Sequence, residues 1–235
     1  ILKSIHEQGL LTPELRGQIE MCSDRQSLET LYLPFKPERR TRATAARERG
    51  LQPLADLLLR QEPLKRSRSA VLQPFINAEK GVADEAAALQ GACDILAEHW
   101  SQHPPLRQWL VEQAHSRGLV VSSLKRGKQP EAGKFEMYYD HREPVKRIPA
   151  HRFLAMQRGE AEGLLKVSLK LDDDFVLANI KPELVHQPRF EFARELLATV
   201  DDCYQRLLLP AIESSVFEVL KTQADEDAVA VFASN

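Results

Sequence analysis

The sequence predicts a mostly α-helical protein: a multi-helix body with helix-turn-helix-like pairs, a small two-stranded β element and long C-terminal helices. Apolar residues recur at helical spacing over most of the chain, often just behind a capping residue or a proline. Only the stretches LVVSSLKR and GLLKVSLKL are β-branched with alternating polarity. With 43% hydrophobic and 28% charged residues, a chain of 235 residues can bury one large core or two modest ones.

The ends of the first helices are marked by capping residues. Thr12 precedes a proline, which is the residue favoured at the first helical position, so a short amphipathic helix is predicted to start there. Thr41 or Thr44 can cap a second helix that Gly50 ends. Pro53 then starts a third helix, so the stretch reads as helix, tight turn and helix.

A central helix is predicted behind the N-cap Asp84. Its sequence VADEAAALQGACDILAEHW is rich in small residues, which let helix backbones approach each other closely. Two prolines then break the chain, and another helix runs from about Pro105 to Arg117, with Gly118 as its end. The two helices form a helix-turn-helix-like pair.

The second half of the chain carries the two strand-like stretches, residues 119–125 and 164–171, which we expect to pair with each other. One irregular helix and then a helix starting near Pro149 are predicted between them. The acidic triplet Asp172 to Asp174 is predicted to be a solvated turn. The last stretch reads as long helix with a kink or break at Pro210.

The charges are unevenly distributed. Residues 172–235 hold 13 acidic and 5 basic residues, a net charge of −8, so residues 1–171 carry +6 of the total of −2. We therefore divide the chain into a basic helical body, residues 1–171, and an acidic linker with long helices, residues 172–235. Such asymmetry fits a body that faces nucleic acid, an acidic surface for a protein partner, or two solvated faces that complement each other.

Five arginines cluster in the stretch KPERRTRATAARERG. Guanidinium groups beside a helix N-terminus can hold phosphate or carboxylate. The alternative is that they pair with acidic residues of neighbouring helices. The cluster comprises Arg39, Arg40, Arg42, Arg47 and Arg49.

Motifs for catalysis or cofactor binding are missing from the sequence. It contains no GxxxxGK[ST], GxGxxG, GxSxG or HExxH pattern. His99 and His103 are four residues apart, but a proline follows at once and no third metal ligand is evident. The cluster MYYDHREP could in principle support acid-base chemistry, and a surface or hinge cluster is the alternative. We expect no enzyme activity, no cofactor and no metal.

The cellular setting is also predicted from composition. No run of 18 apolar residues could cross a membrane, and the three cysteines lie far apart, which fits a reducing compartment. We expect a cytoplasmic protein without a membrane partner.

Three stretches together resemble one family. They are LETLYLPFKPERRTRATAARERGLQPLADLLL, VVSSLKRGKQPEAGKFEMYYDHREPVKRIPAHRFLAMQRGEAEGLLKVSL and ADEDAVAVFASN. In this order they resemble the amino-terminal part of the Tex family of bacterial transcription accessory proteins, which is similar to a eukaryotic transcription elongation factor and histone chaperone. The resemblance implies a helical body with helix-turn-helix character. A ribonuclease-H-like domain, paired helix-hairpin-helix motifs and an RNA-binding OB-fold would follow, so we expect this chain to be a piece of a longer protein.

The resemblance supplies no catalytic residues and favours a nucleic-acid role for the basic segments. Weak, non-specific contacts to DNA or RNA phosphates are expected there, and further partners are the other domains of the full-length protein and the transcription machinery. The alternative is a structural and protein-interaction body that organises the missing nucleic-acid-binding domains. We expect Arg42 to hold carboxylates and helix ends. The candidate nucleic-acid-binding residues are Lys36, Arg39, Arg40, Arg49, Lys125, Arg126, Lys128, Lys146 and Arg147.

Overall fold

A computed structural model describes residues 2–7, 9–22, 40–128 and 133–233. Two compact units are present, Ile1–Thr41 and Arg42–Asn235. The first contains α1 (Leu2–Glu7) and α2 (Pro13–Met21). The Thr12 hydroxyl accepts a hydrogen bond from the Leu15 amide at 3.2 Å, which confirms the predicted cap of α2. The division of the chain at residue 171 by charge stays a prediction.

The second unit begins with five α-helices, and all but the third of them were predicted from the sequence. A turn at Gly50, whose φ is +84°, separates the first two, and Asp84 caps the fourth by accepting from the Ala87 amide at 2.8 Å. The helices are α3 (Arg42–Glu48), α4 (Gln52–Arg60), α5 (Arg68–Leu72), α6 (Glu85–Ser101) and α7 (Pro104–Arg117).

Helix α6 is central to the packing of this unit, as its small residues predicted. It packs against α3 and α4 and against a later helix, α10 (Ala193–Cys203). Ala88 and Ala92 are fully buried, and Gly91 faces Leu51 so closely that a Cβ on Gly91 would lie 2.3 Å from the Leu51 Cδ1. The absence of a side chain at this crossing therefore sets the distance between the helices.

A small antiparallel sheet follows α7. Its strands are β1 (Leu119–Leu124), β2 (Asp140–Pro144) and β3 (Leu165–Lys170), in the spatial order β2-β1-β3. The pairing of β1 with β3 was predicted from the sequence and is confirmed. Between β2 and β3 lies α8 (Ala150–Ala161), which begins directly after Pro149, also as predicted.

Strand β2 corrects the sequence prediction, which expected an irregular helix there and only two strands. Its sequence DHREP has low β propensity, because Asp, Glu and Pro are depleted in strands. Pairing with β1 over five residues, from Leu119 with Pro144 to Ser123 with Asp140, overrides that local preference. Proline and charged residues are typical of an edge strand, which is where β2 lies.

The last part of the chain is helical. Asp172 caps α9 (Asp173–Leu184) by accepting from the Phe175 amide at 3.0 Å, so the acidic triplet starts a helix rather than forming only a turn. Helix α10 continues through one wide π turn, Tyr204–Leu208, into α11 (Leu209–Ala233). The predicted kink or break at Pro210 thus takes the form of a π turn just before the proline.

Candidate nucleic-acid interface

The sheet has one buried and one exposed face, and the strand register assigns each residue to a face. Val120 pairs with Leu169, and Ser122 pairs with Val167; all four are buried. The Ser122 hydroxyl satisfies its hydrogen-bonding potential inside the protein by donating to the Tyr138 carbonyl at 2.8 Å. Because side chains alternate along a strand, the residues between these belong to the opposite, outer face.

The outer face of the sheet is basic. Lys166 is the register partner of Ser123, Lys170 that of Leu119 and Arg142 that of Val121, and all three basic residues are exposed. We call Arg142, Lys166 and Lys170 the basic sheet face.

Asp140 is the one acidic residue within the strands on this face. Its carboxylate lies 3.9 Å from the Arg142 guanidinium, and both side chains are highly exposed. An ion pair of that length and exposure holds the arginine only weakly, since exposed pairs contribute at most about 1 kcal/mol. The basic sheet face therefore keeps a net positive charge.

Turns at the two ends of the sheet carry five of the basic residues predicted from the sequence. After β1 the chain turns at Gly127, whose φ is +85°, and the Lys128 amide donates to the Lys125 carbonyl at 3.0 Å. After β2 a short 3-10 turn follows, which the Val145 amide ties to the Gly118 carbonyl at 2.9 Å. The exposed residues in these turns are Lys125, Arg126 and Lys128 at one end and Lys146 and Arg147 at the other.

The length of β1 separates these two turns, so they do not form one compact cluster. Six strand residues span about 20 Å at about 3.4 Å each. Lys166 lies at the end of the sheet next to Lys125, and Lys170 lies at the end next to Pro144. The basic sheet face therefore lies between the two basic turns.

Carboxylates from two helices occupy the free edge of β3. The Val167 amide donates to Glu160 of α8 at 2.9 Å, and the Leu169 amide donates to Glu213 of α11 at 2.7 Å. These amides point away from β1, toward the side of β3 on which no further strand of the described chain pairs. Their partners hold the sheet on the helices and block strand addition at this edge.

The cluster MYYDHREP does not converge on one cleft, because it lies mostly in β2 and alternates between the faces. His141 and Glu143 lie on the inner side, where their side chains are 3.1 Å apart, and Arg152 donates to the other Glu143 oxygen at 3.0 Å. The ring of Tyr138 meets His141 edge-on, with 5.5 Å between the centroids. Asp140 and Arg142 lie on the outer face.

The arginine cluster is divided between different surroundings. Lys36 and Arg39 lie outside the described residues, and Arg40 is exposed at the end of the first unit. Arg49 is exposed in the turn after α3, with its Nε 3.7 Å from the position that a Cβ on Gly81 would take. This turn belongs to the helical packing around α6, so Arg49 is not part of the sheet.

The remaining two arginines of the cluster lie beside carboxylates of α6. Arg47 donates to Glu98 at 2.6 Å. This residue therefore fits the alternative prediction, in which arginines of the cluster pair with acidic residues of neighbouring helices. Arg42 starts α3 and faces Asp94. Burial raises the pKa of Asp94, against the opposing effects of its hydrogen bond from Gln90 and of the Arg206 and Arg42 charges.

Sequence reasoning missed the three residues of the basic sheet face as candidates. The alternation in LKVSLK already placed Lys166 and Lys170 on one side of a strand, so that signal was present. Arg142 could not be added to the same surface until β2 was known to pair with β1.

Among the residues that the structure describes, no helix is long and apolar enough to cross a membrane. In the same residues no group of three or more His, Cys, Asp or Glu side chains is arranged to hold a metal ion.

The fold is thus a helical body with a small antiparallel sheet whose outer face is basic. A family model described as Tex central region-like matches residues 65–232. Because this match covers well over half of the chain, the protein belongs to the Tex family.

Curated relatives agree with this assignment. The chain is 39% identical over 240 residues to the transcriptional accessory protein Tex of Neisseria gonorrhoeae. It is 37% identical over 251 residues to protein YhgF of Escherichia coli K12 and 36% identical over 248 residues to protein tex of Bordetella pertussis. Each alignment covers 100% of this chain and 31% of the relative. The chain therefore spans about a third of the length of the curated relatives it matches.

Proposed function

We propose that this chain is a non-catalytic, nucleic-acid-binding part of a transcription accessory protein and that it contacts phosphates through its sheet. The observation that carries the proposal is the placement of Arg142, Lys166 and Lys170 on one exposed sheet face, with Asp140 as their one acidic neighbour in the strands. The basic turns at both ends of the sheet extend this surface.

The spacing of the charges suits a polyanion. Lys166 and Arg142 are on strands two apart and are offset by two residues along them, so their backbones are about 12 Å from each other, and Lys166 and Lys170 are about 13 Å apart along β3. Ser123 and Ser168 lie between them on the same face and have small side chains. A phosphate backbone can therefore lie close to the sheet while long basic side chains reach it from several positions.

Binding of this kind is independent of base sequence, because phosphate contacts position a nucleic acid without reading its bases. The name of the Neisseria gonorrhoeae relative associates that protein with transcription. A role in transcription and a cytoplasmic location for this chain are part of the proposal.

The test measures how the affinity for a labelled 20-nucleotide single strand and for the corresponding duplex depends on salt. The variant Arg142→Gln/Lys166→Gln/Lys170→Gln removes the charge of the basic sheet face. The control Arg194→Gln/Lys221→Gln removes exposed positive charges from the acidic C-terminal part. Each lost contact lowers the slope of log affinity against log salt by about 0.7 for a single strand and about 0.9 for a duplex.

We expect the triple variant to lose about two units of slope with the single strand and nearly three with the duplex, and to bind all sequences more weakly, while the control keeps the slope of the parent. Equal slopes for the parent and the triple variant would show that the sheet does not contact the nucleic acid. Failure of the parent chain to bind at low salt would favour the alternative function, a body that organises other domains.

A further inference from the structure

A second surface, away from the sheet, contains a cavity of about 380 Å³. It lies between the end of α4, the segment that follows it and α5. Six of its ten lining residues are apolar, including Leu57, Leu64 and Val71 together with two prolines at positions 63 and 74. A cavity of this size can hold one large apolar side chain and its backbone.

An unusual backbone conformation shapes the cavity wall. Gln61, between the lining residues Arg60 and Glu62, has φ +52° and ψ +33°, and it is the one residue other than glycine with positive φ in the described chain. Its side chain is buried, and both of its polar atoms are hydrogen-bonded: Nε2 donates to the Leu184 carbonyl at 2.7 Å, and Oε1 accepts from the Gln187 amide at 3.2 Å. These two bonds offset the cost of a left-handed backbone conformation at a residue other than glycine.

The segment after Gln61 is also fixed from outside the cavity. Glu191 accepts from the Leu64 amide at 3.2 Å, and Arg68 donates to the Glu191 carbonyl at 2.7 Å. The Arg68 guanidinium lies 4.4 Å from the centre of the Phe192 ring and is also paired with Glu195. The cavity is therefore formed before any ligand arrives, which lowers the entropic cost of binding.

The rim of the cavity is positively charged. Arg60, Lys65 and Arg66 all line it and are exposed, and Glu62 is the one acidic residue in the lining. None of the three basic side chains makes a hydrogen bond or ion pair with another residue in the part of the chain that the structure describes. By contrast, the neighbouring Arg68 is held by three partners.

We propose that this cavity is a docking site for a partner protein, and that it takes a short acidic peptide segment with one apolar anchor residue. The anchor enters the apolar floor, and carboxylates on both sides of it meet the three unpaired cations of the rim. Charge complementarity selects an acidic partner, and the aliphatic side chains of the floor select the anchor.

The lining favours a peptide over a nucleic acid. Single-stranded nucleic acid binds by stacking its bases on aromatic rings along a positive groove. Leucine, valine, alanine and proline line this cavity, and its lining contains no aromatic residue. The cations alone could attract phosphates, but the apolar floor would then contribute nothing.

Fluorescence anisotropy of labelled probes with the 235-residue chain tests the proposal. The main probe is a 12-residue peptide of Asp and Glu with one central Leu. A second peptide has Ser in place of the Leu, a third has Asn and Gln in place of the acidic residues, and a 12-nucleotide oligothymidine is the fourth probe. The variants are Arg60→Ala/Arg66→Ala for the rim and Ala70→Trp to fill the cavity, with Arg194→Ala/Lys221→Ala as the charge-matched control.

We expect the acidic Leu peptide to bind at least tenfold more tightly than the Ser peptide and the neutral peptide. Both cavity variants should raise its dissociation constant at least tenfold, and the charge-matched control should leave it within twofold. Thermal unfolding of each variant shows whether it is folded. Because Ala70 is exposed in the free protein, Ala70→Trp should fold even if the rim variant does not.

Several results would overturn the proposal. Equal binding of the Leu and Ser peptides would mean that charge alone acts and that the cavity has no role. Tighter binding of the oligothymidine, lost in the rim variant, would assign the site to nucleic acid. This outcome is distinct from a failure of the sheet interface, which the rim variant leaves intact.

Discussion

The contact between Gly159 of α8 and Leu165 of β3 leads to a quantitative prediction. A Cβ on Gly159 would lie 2.5 Å from the Leu165 Cδ1, 2.9 Å from its Cγ and 3.2 Å from the Phe135 ring. Both neighbours are buried, with 1% and 4% of their surface exposed. Leu165 cannot relieve the clash by turning only its terminal methyl group, because its branch carbon is also too close.

Two effects of Gly159→Ala oppose each other. Alanine in a helix interior is about 1 kcal/mol more favourable than glycine. Adding a methyl group to a packed core costs about 1–3 kcal/mol, and the contact with the leucine branch carbon places this site toward the upper end. We therefore expect Gly159→Ala to lower the free energy of unfolding by about 1–2 kcal/mol.

Urea denaturation followed by circular dichroism measures this change, and two further variants make it specific. Gly17→Ala is the matched control, because a Cβ at this interior position of α2 meets nothing within 4 Å and should not destabilise. Leu165→Ala alone should cost about 2–5 kcal/mol. In the double variant Gly159→Ala/Leu165→Ala the clash is gone. The sum of the losses of the two single variants should therefore exceed the loss measured for the double variant by about 2 kcal/mol. An additive double variant, or a Gly159→Ala protein as stable as the parent, would refute the close packing of α8 on β3.

Two other predictions concern the edge of β3 and the buried thiols. Glu213→Ala leaves the Leu169 amide without its acceptor and should lower the free energy of unfolding by about 1–3 kcal/mol. Glu213→Gln keeps an acceptor oxygen, so it should lower the free energy of unfolding much less in the same urea experiment. Burial raises the pKa of Cys93 to about 11 and that of Cys203 to about 12, from 9.0. The thiols therefore ionise at lower pH in the unfolded chain than in the folded one, and the free energy of unfolding should fall as the pH rises from about 9 to 11. The fall should be less steep in Cys93→Ala, and the same dependence on pH in the parent and in this variant would contradict the prediction.

Helix ends were predictable because they depend on few residues close in sequence. Thr12, Asp84 and the glycine at position 50 each impose a local hydrogen bond or backbone conformation that holds in any tertiary setting. The π turn before Pro210 was not predictable in form, because a proline in a helix can be accommodated by a kink, a break or a wide turn.

Strand β2 shows where local sequence is insufficient. DHREP lacks the β-branched and aromatic residues of a typical strand, and it is held in the sheet by hydrogen bonds to β1, about 20 residues away. Its inner side is further held by the contacts of Glu143 with His141 and Arg152. Such partners are chosen by the tertiary fold, and no pattern within five residues specifies them.

The candidate interface was only partly predictable for the same reason. Charge density in the sequence identified the turns at Lys125 and Lys146, which lie at opposite ends of β1 and would bind a polyanion only as separate points. The alternation of β3 and the pairing of β2 add Lys166, Lys170 and Arg142 between them. A basic segment in a sequence therefore locates charge along the chain, whereas the strand register decides which of those charges can meet the same ligand. On this argument the register of β1 with its two neighbours, rather than the number of basic residues, determines whether the sheet can bind a phosphate backbone.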